Sequence, residues 1–193
     1  MSVCLILLAA CSQSPHKFQL TNVTGHQADL ALFQTPTATG KVLTAKELHG
    51  KVVVLYFGYT HCPDICPTTL ATFHAVEQRL STESSNLSDD FQVIFVTVDP
   101  KRDTPEVLEH YMRSFSPRFI AVRPDSAVLS KMMSRYHMTY SYGKPDASGN
   151  YAVNHTSQFL IFDQKGQMRL IGNYGDSVEA ITNDVTYLIK HPH

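Results

Sequence analysis

Residues 52–67 read VVVLYFGYTHCPDICP, in which a continuous apolar run at 52–57 is followed by a turn with two cysteines, each followed by a proline. The β-branched and aromatic part, residues 52–57, is typical of a strand buried on both faces. The apolar residues that follow recur at helical spacing: Leu70, Phe73, Val76 and Leu80. Cys62 and Cys66 are therefore predicted at a strand-to-helix turn, where the helix dipole favours thiolate.

The rest of the chain alternates strands and helices. The predicted elements are a strand at 91–98, a helix at 103–115, a strand at 119–122, a helix at 126–136, a hairpin of 157–162 and 167–171, and a helix at 176–190. Residues 81–90 and 140–150 are predicted as loops. This order implies an α/β fold with a mostly parallel sheet and an antiparallel edge hairpin. A cysteine pair at the first strand-to-helix turn makes it a thioredoxin-like, three-layer arrangement.

Composition excludes several classes of protein. The 193 residues suffice for one domain, and a formal charge of −1 gives no reason to expect nucleic acid as a partner. Only two of the four cysteines lie outside the apolar N-terminus, so a small fold stapled by disulfides is excluded.

The N-terminus predicts the compartment. Residues 3–10 are apolar but too short to span a bilayer, and small residues precede Cys11. This pattern resembles a bacterial lipoprotein signal, with cleavage before Cys11 and lipid on that cysteine. No Lys or Arg precedes the run, which suggests a truncated signal, and a buried segment with an incidental cysteine is the alternative. We expect residues 1–17 to form the signal and tether, and residues 18–193 to form a domain anchored outside the cytoplasm, on the periplasmic side.

The spacing of Cys62 and Cys66 suits chelation, because residues i and i+4 at the start of a helix share one face. Soft thiolates favour Cu(I), zinc or iron–sulfur clusters, and an added imidazole suits copper or zinc. His155 is a candidate third ligand, because in a thioredoxin-like sheet the loop before the hairpin approaches the cysteines. Spacing alone does not favour it over three other histidines: His61, His74 and His137.

Three motifs resemble the Sco/SenC family in sequence and in order: GYTHCPDICP at 58–67, VTVDPKRDTPE at 96–106 and NYAVNHT at 150–156. The resemblance implies a membrane-tethered copper protein that helps to assemble the copper centre of cytochrome c oxidase. The implied ligands of Cu(I) or Cu(II) are Cys62, Cys66 and His155. The implied partners are the copper-binding subunit of the oxidase and a periplasmic copper donor. The resemblance also implies that the two cysteines cycle between dithiol and disulfide and reduce the cysteines of that subunit.

Three further residues are candidates for supporting the ligands. The family usually has Asp directly before the ligand histidine, whereas this chain has Asn154, which keeps hydrogen bonding but loses the charge. Asp64 lies between the cysteines, where it could tune their pKa or cap the helix. Asp99 ends a strand at the edge of the sheet where α/β sites lie, and it either orients the metal loop or caps the turn at Pro100.

Three functions are weighed on these features. The leading one is a metallochaperone, a binding protein rather than an enzyme. A thiol–disulfide oxidoreductase and a peroxiredoxin-like peroxidase are the alternatives. Three residues between the cysteines favour chelation, and Thr156 follows His155 where a thioredoxin would carry a cis-proline. A peroxidase would need one attacking cysteine, whereas the sequence places both equally.

Overall fold

The secondary structure is taken from a computed structural model that describes residues 16–31 and 33–192. The strands are β1 (Thr21–Asn22), β2 (Gln34–Pro36), β3 (Val42–Thr44), β4 (Val52–Gly58), β5 (Phe91–Thr97), β6 (Ile120–Val122), β7 (Tyr140–Tyr142), β8 (Val153–His155), β9 (Phe159–Phe162) and β10 (Met168–Gly172). The helices are α1 (Ala45–Leu48), α2 (Ile65–Glu83), α3 (Ser85–Asp89), α4 (Pro105–Arg113), α5 (Ser126–Arg135) and α6 (Val178–Lys190).

Six strands form the central sheet in the order β1-β10-β9-β4-β5-β6. The pairs β4–β5 and β5–β6 are parallel, whereas β9 lies antiparallel to β4 and continues into β10 and β1. Every residue of β4 is buried, as its apolar run predicts for a central strand. The parallel register places Gly58 beside Thr97, so the turns that leave β4 and β5 meet at one edge of the sheet.

Helices cover both faces of this sheet. Tyr56 of β4 packs edge-on against Phe73 of α2, and α6 packs against α2 and β4. The next residue, Phe57, points to the opposite face and contacts Tyr136 at the end of α5. Successive residues of a strand face opposite sides, so one apolar run supplies the core of both halves. The α/β, thioredoxin-like, three-layer prediction is confirmed.

The predicted strands and helices of the domain agree with the structure to within two residues at each end, except around the two predicted loops. At residues 81–90 the loop prediction is wrong, because α2 continues to Glu83 and α3 follows, with Leu87 and Ser88 buried. One buried apolar residue thus anchors a helical turn in a polar segment. At residues 140–150 the prediction is wrong for the first three residues, which form β7 and pair with β8.

The predicted boundary between tether and domain falls at the edge of what the structure describes. Cys11 and most of the predicted tether lie outside the described residues. His16 stacks on Tyr187 of α6 at a centroid distance of 3.7 Å, and buried Asp184 accepts the backbone N–H of Leu20 at 2.8 Å. Among the helices that are described, none has the length and apolarity needed to span a membrane.

Gly172 of β10 tests the packing of the hairpin against the core. A Cβ at this position would lie 2.0 Å from Cζ of Phe159, whose ring packs against Phe73. We expect Gly172→Ala to lower the free energy of unfolding by about 1–3 kcal/mol, measured by urea denaturation, because the ring must move. The loss should shrink in a Phe159→Leu background, and equal losses in both backgrounds would contradict this explanation.

Candidate metal centre

The two thiols lie in the turn between β4 and α2, at different depths. Cys62 is half-buried and Cys66 is fully buried, and both are free thiols. The backbone N–H of Cys66 donates to Sγ of Cys62 at 3.4 Å. Gly58, the last residue of β4, permits this arrangement, because a Cβ there would lie 2.9 Å from Sγ of Cys66. The sulfur of Cys66 therefore packs directly against the backbone of the central strand.

Two polar side chains reach the sulfur of Cys66. The hydroxyl of Tyr56, a fully buried residue of β4, donates to Sγ at 3.6 Å. Nε2 of His155, on β8, lies 3.6 Å from the same sulfur. The structure thus brings His155 to the cysteines across 89 residues of sequence.

The ring of His155 is oriented by its other nitrogen. Nδ1 lies 2.9 Å from the carbonyl oxygen of Thr156, which can only accept a hydrogen bond. In the neutral ring Nδ1 therefore carries the proton, and the lone pair of Nε2 faces the sulfurs. The edge of Tyr59 packs perpendicular to the ring at 5.9 Å. This is the arrangement that metal-binding histidines usually show, in which the distal nitrogen is fixed by a carbonyl.

The other candidate histidines lie in different surroundings. His61 contacts Asp103 at 3.7 Å and the hydroxyl of its neighbour Thr60 at 3.1 Å. His74 pairs with Glu77 on α2 at 3.4 Å. His137 packs against another ring, that of His26. Contact with a cysteine sulfur therefore distinguishes His155 where sequence spacing did not.

The donor set fits a soft metal ion in its chemistry, because two thiols and an imidazole nitrogen lie close together at one turn. Across the described ranges no group of three or more His, Cys, Asp or Glu side chains is already closed around one point.

The two thiols differ in acidity as they differ in depth. The hydrogen bond with Cys66 lowers the pKa of Cys62, and the backbone amides of Cys66 and Asp64 lower it further. The same hydrogen bond, together with burial, raises the pKa of Cys66. These opposite shifts favour the thiolate at Cys62 and the protonated thiol at Cys66.

The three candidate supporting residues lie at different depths. Asp64 is exposed, and its carboxylate accepts from the hydroxyl of Thr68 at 3.4 Å without capping α2. Asn154 is exposed on β8. Asp99 is fully buried, accepts the hydroxyl of Tyr151 at 2.9 Å and pairs with Arg102. Only Asp99 therefore lies in the interior, where it contacts the segment that precedes His155.

Residues that sequence reasoning did not single out also shape the site. The sequence predicts Tyr56 only as a core residue of a strand, yet its hydroxyl reaches Cys66. Asp103 is fully buried and accepts the hydroxyl of Thr60 at 2.6 Å, which anchors the turn before Cys62. The available signal was a pair of acidic residues, Asp99 and Asp103, directly after a buried strand, where α/β sites lie.

A thioredoxin-like fold with two cysteines at its first strand-to-helix turn and a histidine beside them defines a class of thiol- or metal-handling proteins. Residues 21–190 match the SCO1/SenC family, and the chain belongs to that family. It is 32% identical over 136 residues to an SCO2-like protein of Rickettsia prowazekii, covering 70% of this chain and 64% of that protein. The chain thus spans somewhat less than two thirds of the length of this curated relative.

Two solved structures are similar as well. The copper-bound ScoI of Bradyrhizobium japonicum is 32% identical with a TM-score of 0.72, over 81% of this chain and 96% of that chain. An SCO1/SenC family lipoprotein from Bacillus anthracis is 25% identical with a TM-score of 0.67, over 83% of this chain and 95% of that chain.

The unequal acidity of the thiols gives a prediction for their reactivity with iodoacetamide. Because the pKa of Cys62 is held below its usual value, its alkylation rate should change little between pH 8 and pH 6. An ordinary thiol, with a pKa of about 8.5, slows by up to ten-fold per pH unit over that range. Cys66 should react only after unfolding in urea. Peptide mass mapping identifies the alkylated residue, and a ten-fold fall per unit at Cys62 would contradict the assignment.

Proposed function

We propose that this chain binds copper through Cys62, Cys66 and His155 and serves in the assembly of the copper centre of cytochrome c oxidase. The observation that carries the proposal is the 3.6 Å approach of Nε2 of His155 to Sγ of Cys66, in the turn that also holds Cys62. Membership of the SCO1/SenC family and similarity to a copper-bound ScoI support it.

The chemistry of the donors favours copper as cargo. Thiolate and imidazole are ligands that both Cu(I) and Cu(II) accept, and a structural zinc site would normally require four protein ligands. Cys66 is the buried member of the set, whereas Cys62 and His155 are both half-buried. A partially exposed thiolate can exchange its metal with the thiolates of a partner, which suits delivery better than permanent storage.

The copper proposal is tested by titrating the protein with Cu(II) and following visible absorption and electron paramagnetic resonance. The parent should show a thiolate-to-copper charge-transfer band. Cys62→Ala, Cys66→Ala and His155→Ala should each abolish the band or weaken binding by at least about ten-fold. His110→Ala is the matched control, because His110 lies on α4 and is exposed.

Absence of the band in the parent, or an equal effect of His110→Ala and His155→Ala, would overturn the assignment of these ligands.

A thiol–disulfide reductase is a second candidate, favoured by the asymmetry of the thiols. The thiolate of Cys62 would attack a partner disulfide, forming a mixed disulfide and releasing one partner thiolate. Cys66 would then lose its proton and attack Sγ of Cys62, releasing the second thiolate and leaving an oxidised Cys62–Cys66 pair. Each cycle moves two electrons to the partner, and a dithiol reductant must restore the pair. Rapid insulin reduction by copper-free protein, lost in Cys62→Ala, would favour this activity.

We also propose that lipid on Cys11 anchors the domain in the bacterial cell envelope, on the periplasmic side. The small residues before Cys11 and the similarity to an SCO1/SenC family lipoprotein support this. Expressed in a bacterium with the complete chain, Cys11→Ser should move the protein from the membrane fraction to the soluble fraction. Cys4→Ser is the control, since Cys4 lies in the same apolar segment. Equal membrane association of both variants would contradict lipidation at Cys11.

A further inference from the structure

The loop between β5 and α4, residues 98–104, contacts both parts of the candidate metal centre. Its C-terminal half holds the turn that carries the cysteines. Fully buried Asp103 accepts the hydroxyl of Thr60 at 2.6 Å and also its backbone N–H at 3.2 Å. Thr97, at the end of β5, donates its hydroxyl to the same carboxylate. The position of the cysteine turn is therefore tied to Asp103.

The N-terminal half of the loop holds the segment that carries His155. Asp99, also fully buried, accepts the hydroxyl of Tyr151 at 2.9 Å. The guanidinium of Arg102 pairs with Asp99 and lies 3.6 Å from the centre of the Tyr151 ring. The ring of Tyr151 is thus held both through its hydroxyl and through its face. Tyr151 lies four residues before His155 in the sequence.

This attachment matters because β7 and β8 form a separate two-stranded ribbon. Within the part of the chain that the structure describes, the two strands pair with each other and not with the central sheet. A second tyrosine of the ribbon, Tyr142, donates its hydroxyl to the carbonyl of Val98 at 2.7 Å. The two tyrosine rings pack edge to face at 5.7 Å. The hydroxyls of Tyr142 and Tyr151 therefore end on consecutive residues of the loop, Val98 and Asp99.

We propose that residues 98–104 act as a bracket that sets the distance between the cysteine turn and His155. Asp99, Arg102 and Tyr151 are its positioning residues for copper, and none of them is a ligand. The inference rests on the proposed copper binding, because it assigns these residues to the geometry of that same site. It gives a role to the VDPKRDTP motif, which supplies no metal donor.

The physical reason is that both carboxylates are buried and depend on their hydrogen bonds. A buried carboxylate that lacks a hydrogen-bond partner is unfavourable in free energy. When one partner is removed, the neighbouring residues therefore rearrange to reduce that cost. For Asp99 the neighbour free to move is the ribbon, which lacks a hydrogen-bonded ladder to the main sheet. Residues that orient metal ligands in this way typically change affinity by 10- to 100-fold when mutated.

The test compares Tyr151→Phe and Arg102→Lys with the parent and with Tyr136→Phe. Tyr151→Phe removes only the hydroxyl and keeps the ring under Arg102, while Arg102→Lys keeps the charge and loses the planar group. Tyr136→Phe is the matched control, because its hydroxyl donates to the carbonyl of Asp29, away from the metal centre. The first measurement is amide hydrogen exchange of residues 140–155 in metal-free protein, with the amides of β4 as the internal reference.

We expect the ribbon amides to exchange at least about ten-fold faster in Tyr151→Phe and Arg102→Lys, with β4 unchanged. The Cu(II) affinity of both variants should fall by about ten-fold or more, with weaker nitrogen hyperfine coupling from His155 and a retained thiolate band. Tyr136→Phe should match the parent in amide exchange, Cu(II) affinity, nitrogen hyperfine coupling and the thiolate band. Unchanged ribbon exchange in both variants, or unchanged Cu(II) affinity in both, would overturn the bracket.

These experiments distinguish failure of the bracket from failure of the proposed copper binding. If the parent binds no copper, the copper proposal fails, and hydrogen exchange in the metal-free protein still decides whether Asp99, Arg102 and Tyr151 hold the ribbon. If the parent binds copper and both variants bind it equally well, the bracket fails and the copper proposal stands.

Discussion

The parallel pairing of β4 with β5 is the constraint on which the site depends. The register that sets Val52 beside Phe91 also sets Gly58 beside Thr97, so the two strands end together. The turn with the cysteines and the loop of residues 98–104 then leave the sheet as neighbours. An antiparallel pairing of the same strands would place these two turns at opposite ends of the molecule. The apolar run of β4 therefore positions the chemistry as well as forming the core.

The different depths of the two sulfurs connect copper binding with thiol chemistry. Cys66 lies between the backbone of Gly58, the hydroxyl of Tyr56 and the ring of His155, which leaves it little freedom to move. Cys62 is more accessible and keeps the lower pKa of the two. A metal site needs both sulfurs as thiolates, whereas a reductase needs one thiolate and one protonated partner. Without metal, the pair keeps one proton, which is the state that a reductase needs. A soft cation that displaces this proton produces the two thiolates that a metal site needs. The same pair is thus suited to either role, according to what binds it.

Much of the fold follows from the sequence because long apolar runs and helical spacing are strong local patterns. The strand at 52–57, the helix after Cys66 and the closing helix are set by their own residues, and the structure places them as predicted. The three-residue strands β7 and β8 carry no such pattern, because Tyr140 and Tyr142 are held by contacts distant in sequence. Spacing likewise predicted a site at the two cysteines but left four histidines open as the third donor. The family resemblance, not the periodicity, pointed to His155.

Asp99 and Asp103 show which part of the site the sequence does not predict: it indicates Asp99 as a candidate, but neither Asp103 nor the hydrogen-bond partners of the two carboxylates. In sequence each is an acidic residue near a proline, which is typical of a solvated turn. In the fold both are fully buried, and each accepts a hydroxyl from a different segment, Tyr151 for the first and Thr60 for the second. Burial of a carboxylate is unfavourable unless such partners are present, so these aspartates constrain the positions of whatever donates to them. The buried carboxylates of Asp99 and Asp103 therefore hold two chain segments, at Tyr151 and at Thr60, in fixed positions relative to each other. These two segments are not paired with each other in the main sheet.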